Sequence, residues 1–206
     1  MVSMRLLASS AALALACAAC GGHADRSRSD SVLAIDLART RPAGPGPAFR
    51  PPAVGNPAVA AGAAVGALRC GRAGDHPYGA HIELFARGRG MVVPAGIGIA
   101  PPQHRKGAFV VGGRCVYPLR TVAPTGVVLV DSRATPTVGQ LFELWGLRLS
   151  RVQLAAFRGS DVVAFVDGRR WNGDPRAIPL RRHAQIELEL GPLVPPHPAY
   201  LFPGGL

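Results

Sequence analysis

The chain has 206 residues, 48% of them apolar, and a formal net charge of +11 carried by arginine except at Lys106. Basic chains often bind nucleic acid, but aromatic residues do not alternate with these arginines as a base-stacking surface requires. We therefore expect no nucleic acid partner and a solvated basic surface, with weak attraction to anionic lipid headgroups as the alternative. The length suffices for one domain plus a tail.

The N-terminal residues 1–20 are typical of an export signal. Arg5 precedes an uncharged run, Leu6–Ala19, which is shorter than the about 20 apolar residues that a membrane-spanning helix needs. The run ends at Cys20 between small residues, and this ending resembles a bacterial lipoprotein signal. The resemblance implies that Cys20 is lipidated and that the protein is an exported lipoprotein of the bacterial cell envelope, bound to a membrane by its lipid anchor. Secretion as a soluble or periplasmic protein and retention by an uncleaved anchor are the alternatives.

Residues 21–66 have the composition of a tether. They are polar at first and then rich in Pro, Ala and Gly, and such a segment buries too little apolar surface to offset chain entropy. Within it, Ser31–Ala38 is compatible with one or two helical turns capped by Asp30. We predict a disordered spacer over 21–66, followed by a globular domain over 67–206.

The globular domain is predicted to be rich in β-strands. A hairpin is indicated by His81–Ala86 and Met91–Val93, which flank the glycine turn Gly88-Arg-Gly90. Asp161–Val166 begins a second hairpin, since Asp167-Gly168 is a turn signal. Further strands are predicted at Phe109–Val111, Arg114–Leu119, Gly126–Asp131 and Ile186–Leu190.

The main helix is predicted at Val138–Trp145, where apolar residues share one face, Thr137 can cap the start and Gly146 ends the helix. In the last strand, apolar residues alternate with Glu187 and Glu189, which predicts one dry face. We therefore expect an α+β fold: a β-rich single domain with one main helix packed on a sheet. A β-grasp-like arrangement fits hairpins that flank one helix.

The two cysteines of the domain, Cys70 and Cys115, predict a disulfide, because isolated pairs in exported domains most often form one. Closing a loop of this length should stabilise the fold by roughly 4 kcal/mol. Reactive free thiols or metal ligands are the alternatives.

The sequence contains no complete catalytic constellation, so we expect neither catalytic residues nor a cofactor. A divalent metal bound by His76, His81 and His104 is the alternative, because these histidines flank or follow the first strand. Glu83 and Glu143 are isolated carboxylates that acid–base chemistry would need as a pair. We interpret them as exposed strand and helix positions.

Several blocks resemble an uncharacterised family of exported bacterial proteins, and together they span about residues 70–206 in order. The blocks are Ala80–Phe85, Val93–Ile99, Cys115–Val130, Thr137–Gly146, Phe165–Gly168, Asp174–Pro175, Ile178–Leu180 and Tyr200–Leu206. The resemblance implies a shared fold and no established activity.

In that family the first strand carries alternate histidines, and a Leu-His-Thr-His-Asp block follows the second cysteine, a pattern that would suit a divalent metal. Here only His81 is present in the first strand, after Pro77 and Gly79. The later block reads Leu119–Ala123 without histidine or aspartate, and Leu129 replaces a downstream histidine. We therefore expect a membrane-tethered, non-enzymatic envelope domain with a binding or structural role and an unknown protein or small-molecule partner. A metal-binding envelope protein with a residual histidine cluster is the alternative.

Overall fold

A computed structural model describes residues 49–131, 135–159, 161–197 and 199–206. The predicted signal with Cys20 and the predicted turns at Ser31–Ala38 lie outside the described residues. Among the described residues, none of the helices has the length and apolar character needed to cross a membrane.

Twelve short strands and three helical elements make up the described chain. The strands are β1 Pro77–Ala86, β2 Arg89–Met91, β3 His104–Lys106, β4 Phe109–Gly112, β5 Leu119–Arg120, β6 Val127–Asp131, β7 Leu149–Ser150, β8 Gln153–Leu154, β9 Phe157–Arg158, β10 Val162–Val166, β11 Arg169–Trp171 and β12 Gln185–Leu190. The helices are α1 Pro57–Ala61 and α2 Val138–Trp145, and a single 3₁₀ turn spans Pro175–Ala177.

The main sheet has the order β11-β10-β12-β1-β6-β5, and β2 pairs with the end of β1 beyond β6. The central strands β1 and β12 run parallel, whereas their outer neighbours β6 and β10 are antiparallel to them. The main helix α2 lies between β6 and β10 in the sequence. The predicted α+β, mostly β, domain with one main helix is confirmed, and this strand order agrees with a β-grasp-like arrangement.

The helix α2 has the predicted bounds because both of its ends are fixed locally. The Thr137 side chain accepts a hydrogen bond from the backbone N–H of Gln140, whose side chain accepts one from Thr137 in return. Gly146 ends the helix with φ 79°, a left-handed conformation that glycine adopts without strain. The apolar face of α2 joins one core with the inner residues of β1 and β12.

The ordered part of the chain begins earlier than the predicted boundary at Ala67. Val59 of α1 is fully buried in the main core. The indole N–H of Trp145 donates to the carbonyl of Pro52 at 2.8 Å, and the N–H of Gly55 donates to the carbonyl of Trp145 at 3.1 Å. Residues 49–66 therefore pack against the domain, because a few residues in this Pro/Ala/Gly-rich stretch contact α2 or the main core.

The two predicted hairpins are present, but the middle of the chain pairs differently from expectation. β1 and β2 form the first hairpin, and β10 and β11 form the second. The predicted strand at Phe109–Val111 pairs with β3. Of the predicted strand at Arg114–Leu119, only the end enters β5, because Val116 instead forms isolated bridges with Gly71 and Ile99.

The disulfide between Cys70 and Cys115 is present, with 5.5 Å between the two Cα atoms. It links the segment before β1 to the loop between β4 and β5. The backbone of Gly71 and Val116 exchanges two hydrogen bonds beside it, of 2.8 and 2.9 Å. The bond therefore joins segments that are already aligned.

Breaking this bond should weaken the fold. We expect Cys70→Ala to lower the free energy of unfolding by roughly 4 kcal/mol, because the unfolded chain regains the entropy of a 45-residue loop. Urea unfolding measures the change. Cys115→Ala should give the same loss, since either substitution removes the same bond. Two alkylatable thiols in the unreduced wild-type domain would contradict the assignment.

Candidate functional site

The two faces of the central strand pair differ in chemistry. Because alternate side chains of a strand point to opposite faces, residues paired between parallel neighbours share a face. On one face Ile82 and Leu84 lie beside Ile186 and Leu188 and form the predicted dry side. The opposite face is polar. Its paired residues are His81 with Gln185, Glu83 with Glu187, and Phe85 with Glu189.

The polar face is buried as well, which the alternation in β12 did not predict. Glu187 is 1% exposed and Glu189 is 0% exposed. The chain that follows β12 covers them; we call residues 191–206 the C-terminal segment. The backbone N–H of Val194 donates to Glu189 at 2.9 Å, and that of His197 donates to Glu187 at 3.2 Å.

Aromatic rings of the C-terminal segment cover the start of β1. The ring of Tyr200 stacks on His81 with 3.8 Å between centroids, and Phe202 lies edge-on to Tyr200. Phe202 also lies against Gly79, where a Cβ atom would come within 3.0 Å of the ring. Glycine at this position therefore permits the close approach of the segment to the sheet.

Glu83, Glu187 and His197 form the one group of potential metal ligands found among the described residues, with their ligand atoms all within 4.8 Å of one another. His197 Nδ1 lies 2.5 Å from Glu83 Oε2, and these two side chains are 35% and 18% exposed. The group combines β1, β12 and the C-terminal segment, so it exists only when all three are assembled.

Burial dominates the electrostatics of the two β12 carboxyls. The pKa of Glu187 is raised to about 7, chiefly by burial; the His197 N–H and the charge of His197 lower it, and the neighbouring charges of Glu189 and Glu83 raise it. Burial also raises the pKa of Glu189. The Oε1 atoms of Glu187 and Glu189 meet no N–H donor among the described residues, and a side-chain hydrogen bond between the two carboxyls lowers the pKa of Glu189. This is a costly arrangement for carboxyl groups.

His81 is adjacent to the cluster, but its ring is already engaged. Nδ1 lies 2.8 Å from Gln185 Oε1, and Nε2 lies 2.9 Å from the carbonyl oxygen of Thr125. Burial lowers the pKa of His81, while the charge of Glu83 and the contacts of the ring with Gln185 and Thr125 raise it. Both nitrogens thus serve the protein's own contacts, and neither is available to a metal.

The structure does not gather the three histidines that the sequence suggested. His76 is exposed before β1, His104 is exposed on β3, and His81 is buried under Tyr200. The other carboxylate considered, Glu143, forms a 2.6 Å ion pair with Arg176 at the surface. No sequence pattern indicated the burial of Glu187, because it follows from the pairing of two central parallel strands, which are buried on both faces and are identified only in the fold.

Three of the positions at which the pattern compared with the sequence has histidines, namely Gly79, Arg120 and Leu129, lie on the same face as His81, whereas Val122 lies outside the sheet strands. Gly79 and Arg120 are both paired with Leu129, and directly paired residues of antiparallel strands share a face. Arg120 makes a 2.8 Å ion pair with Asp131, and their side chains are 7% and 19% exposed. This part of the face therefore holds an ion pair and small or apolar residues.

A small recess opens beside Glu83. Along one edge of β1, pairing with β6 ends at His81 and pairing with β2 begins at Leu84. The recess lies at this change of partner, with Thr125 and Met91 in its walls, and has a volume of about 20 Å³. That is room for one water molecule or one ion.

Comparison with known proteins does not identify this site. No protein-family model, curated protein or solved structure matches the chain. The family resemblance drawn from the sequence therefore stays a prediction, and the chemistry of the polar face has to be inferred from its geometry.

The raised pKa of Glu187 should make stability depend on pH. The folded value of about 7 exceeds the ordinary 4.5, so the folded state binds more protons between these values. The contribution of Glu187 to the free energy of unfolding therefore decreases as pH rises through this window. We expect Glu187→Gln to remove this decrease, measured by urea unfolding in the presence of a chelator.

Glu143→Gln is the matched control, because that carboxylate lies in a half-buried ion pair with Arg176 outside the polar face, and the variant should show the same decrease as the wild type. A difference between wild type and Glu187→Gln that stays constant from below pH 4.5 to above pH 7 would contradict the assignment.

Proposed function

We propose that the protein is a membrane-tethered, non-enzymatic domain of the bacterial cell envelope with a binding role. The lipoprotein-like signal that ends at Cys20 supports the anchor and the exported location. The disulfide between Cys70 and Cys115 supports folding in an oxidising compartment. The binding role rests on the buried polar face.

The observation that carries the binding role is the burial of two neighbouring carboxyls, Glu187 and Glu189, whose Oε1 atoms meet no N–H donor among the described residues. Such groups cost free energy when they are desolvated, and apolar residues at these positions would pack without that cost. Proteins retain destabilising groups mainly where function requires them. We therefore assign the carboxyls to a ligand and not to the fold.

The size of the site favours an ion over an organic substrate. The recess beside Glu83 has a volume of about 20 Å³, whereas small-molecule sites occupy roughly 300–1,000 Å³. The polar face is otherwise covered by the C-terminal segment. A small charged ligand fits these dimensions, and this supports a non-enzymatic role.

Metal binding is the second candidate function, and a specific observation favours it. The residual histidine cluster of His76, His81 and His104 is not assembled, but Glu83, Glu187 and His197 do converge. A metal-binding envelope protein therefore remains a proposal with a different set of ligands.

The lipid anchor is tested by the distribution of the protein between the membrane and soluble fractions of the cell. Cys20→Ser should shift the protein from the membrane to the soluble fraction, because the lipid attachment site is removed. Cys17→Ser is the matched control in the same segment and should stay in the membrane. A Cys20→Ser protein that still sediments with membranes would contradict the lipid anchor.

The binding role is tested by the stability of the metal-free protein. The double variant Glu187→Gln/Glu189→Gln should unfold at a higher urea concentration above pH 7, with a gain of about 1 kcal/mol from removing buried charge. Glu143→Gln, at a half-buried ion pair, should change stability by less than about 1 kcal/mol. A clear loss of stability in the double variant would instead assign the carboxyls to the fold.

A further inference from the structure

We propose that Glu83, Glu187 and His197 bind one divalent transition-metal ion of the zinc class, and that this ion fastens the C-terminal segment to the sheet. The inference rests on the proposed binding role and names its ligand. The three side chains come from β1, β12 and the C-terminal segment, so a bound ion would bridge all three elements.

The donor set selects the kind of metal. One imidazole nitrogen, His197 Nδ1, and two carboxylates supply mixed nitrogen and oxygen ligands. Zinc accepts three protein ligands of these types and leaves a fourth position for water. Magnesium and calcium prefer shells made of oxygen only, so the imidazole disfavours them.

The distances allow a small rearrangement to a metal site. The ligand atoms lie within 4.8 Å of one another, and His197 Nδ1 and Glu83 Oε2 are held together at 2.5 Å. A cation that both atoms coordinate would lie between them, where they now contact each other. An ion would replace one hydrogen bond by two bonds to the metal.

An independent observation also points to a cation. Glu187 is 1% exposed, and its Oε1 atom is buried and meets no N–H donor among the described residues. A positive ion would give this carboxyl a partner of opposite charge, whereas its side-chain contact within the face is with another carboxyl, Glu189. Glu189, paired with Phe85 at the next position of the same face, adds acidic character behind the ligands.

The recess provides room and access. It is lined by Glu83 and lies where β1 changes partner from β6 to β2, so the backbone of β1 is less covered there. Glu187 and His197 do not line it, so its volume of about 20 Å³ offers room for one water beside one of the three ligands.

The consequence concerns the C-terminal segment. Without an ion, hydrogen bonds from Val194 and His197 to the two β12 carboxyls and the stacking of Tyr200 hold it to the sheet. Zinc bound through His197 adds a bridge that exists only in the docked state. By linkage, opening of the segment becomes rarer by the factor one plus the ratio of the free zinc concentration to the dissociation constant.

The experiment uses the full-length exported protein, stripped with a chelator and titrated with zinc chloride alone. Calorimetry and elemental analysis should show one equivalent of zinc, and magnesium chloride should give no binding at the same concentration. His197→Ala and Glu187→Gln should each weaken zinc binding at least 10-fold. Circular dichroism verifies that both variants fold.

Matched controls keep the result specific. His104→Ala removes an exposed histidine and Glu143→Gln a half-buried carboxylate outside the polar face, and both should bind zinc like the wild type. The amides of Val194 and His197 should exchange hydrogen about 100-fold more slowly at a zinc concentration 100 times the dissociation constant.

Three outcomes would overturn this site. They are a folded wild-type protein that binds no zinc, zinc binding unchanged in both His197→Ala and Glu187→Gln, and zinc binding lost in His76→Ala or His81→Ala instead. Each leaves the test of membrane release by Cys20→Ser and the test of stability by the double glutamine variant unaffected. Failure of the proposed function would appear in those two tests, so the failures are distinguishable.

Discussion

The parallel pairing of β1 with β12 is the constraint on which the rest of the structure depends. It joins the first long strand to the last one at the centre of the sheet, so every element between them must fit around this pair. Central parallel strands are normally covered on both faces. One face is covered by α2 and the main core, and among the described residues the C-terminal segment covers the other.

The chemistry of the polar face follows from the way the C-terminal segment covers it. Backbone N–H groups of the C-terminal segment donate to Glu187 and Glu189, and a histidine ring beside them meets Glu83. The segment is short and not part of the sheet, so it satisfies some of the carboxyl oxygens and leaves others unmet. A fold that served stability alone would place apolar side chains here.

Patterns formed by neighbouring residues in the sequence predicted much of the fold. The capping box at Thr137 with Gly146 defined α2, and Asp167-Gly168 defined the β10–β11 hairpin, because both depend on neighbouring residues only. The site was not predictable in the same way. The alternation of apolar and acidic residues around Glu187 indicates two faces. It does not reveal that the polar face is covered, because the covering contacts form only in the folded chain.

Gly79 shows how one position determines whether the face is open. A side chain there would require Phe202 to move, and Phe202 contacts Tyr200, which stacks on His81. The covering of the polar face by the C-terminal segment therefore depends on Gly79, which lies more than a hundred positions earlier in the chain. An exchange of glycine for a larger residue in the first strand would convert a face closed by its own chain into one that is accessible from outside.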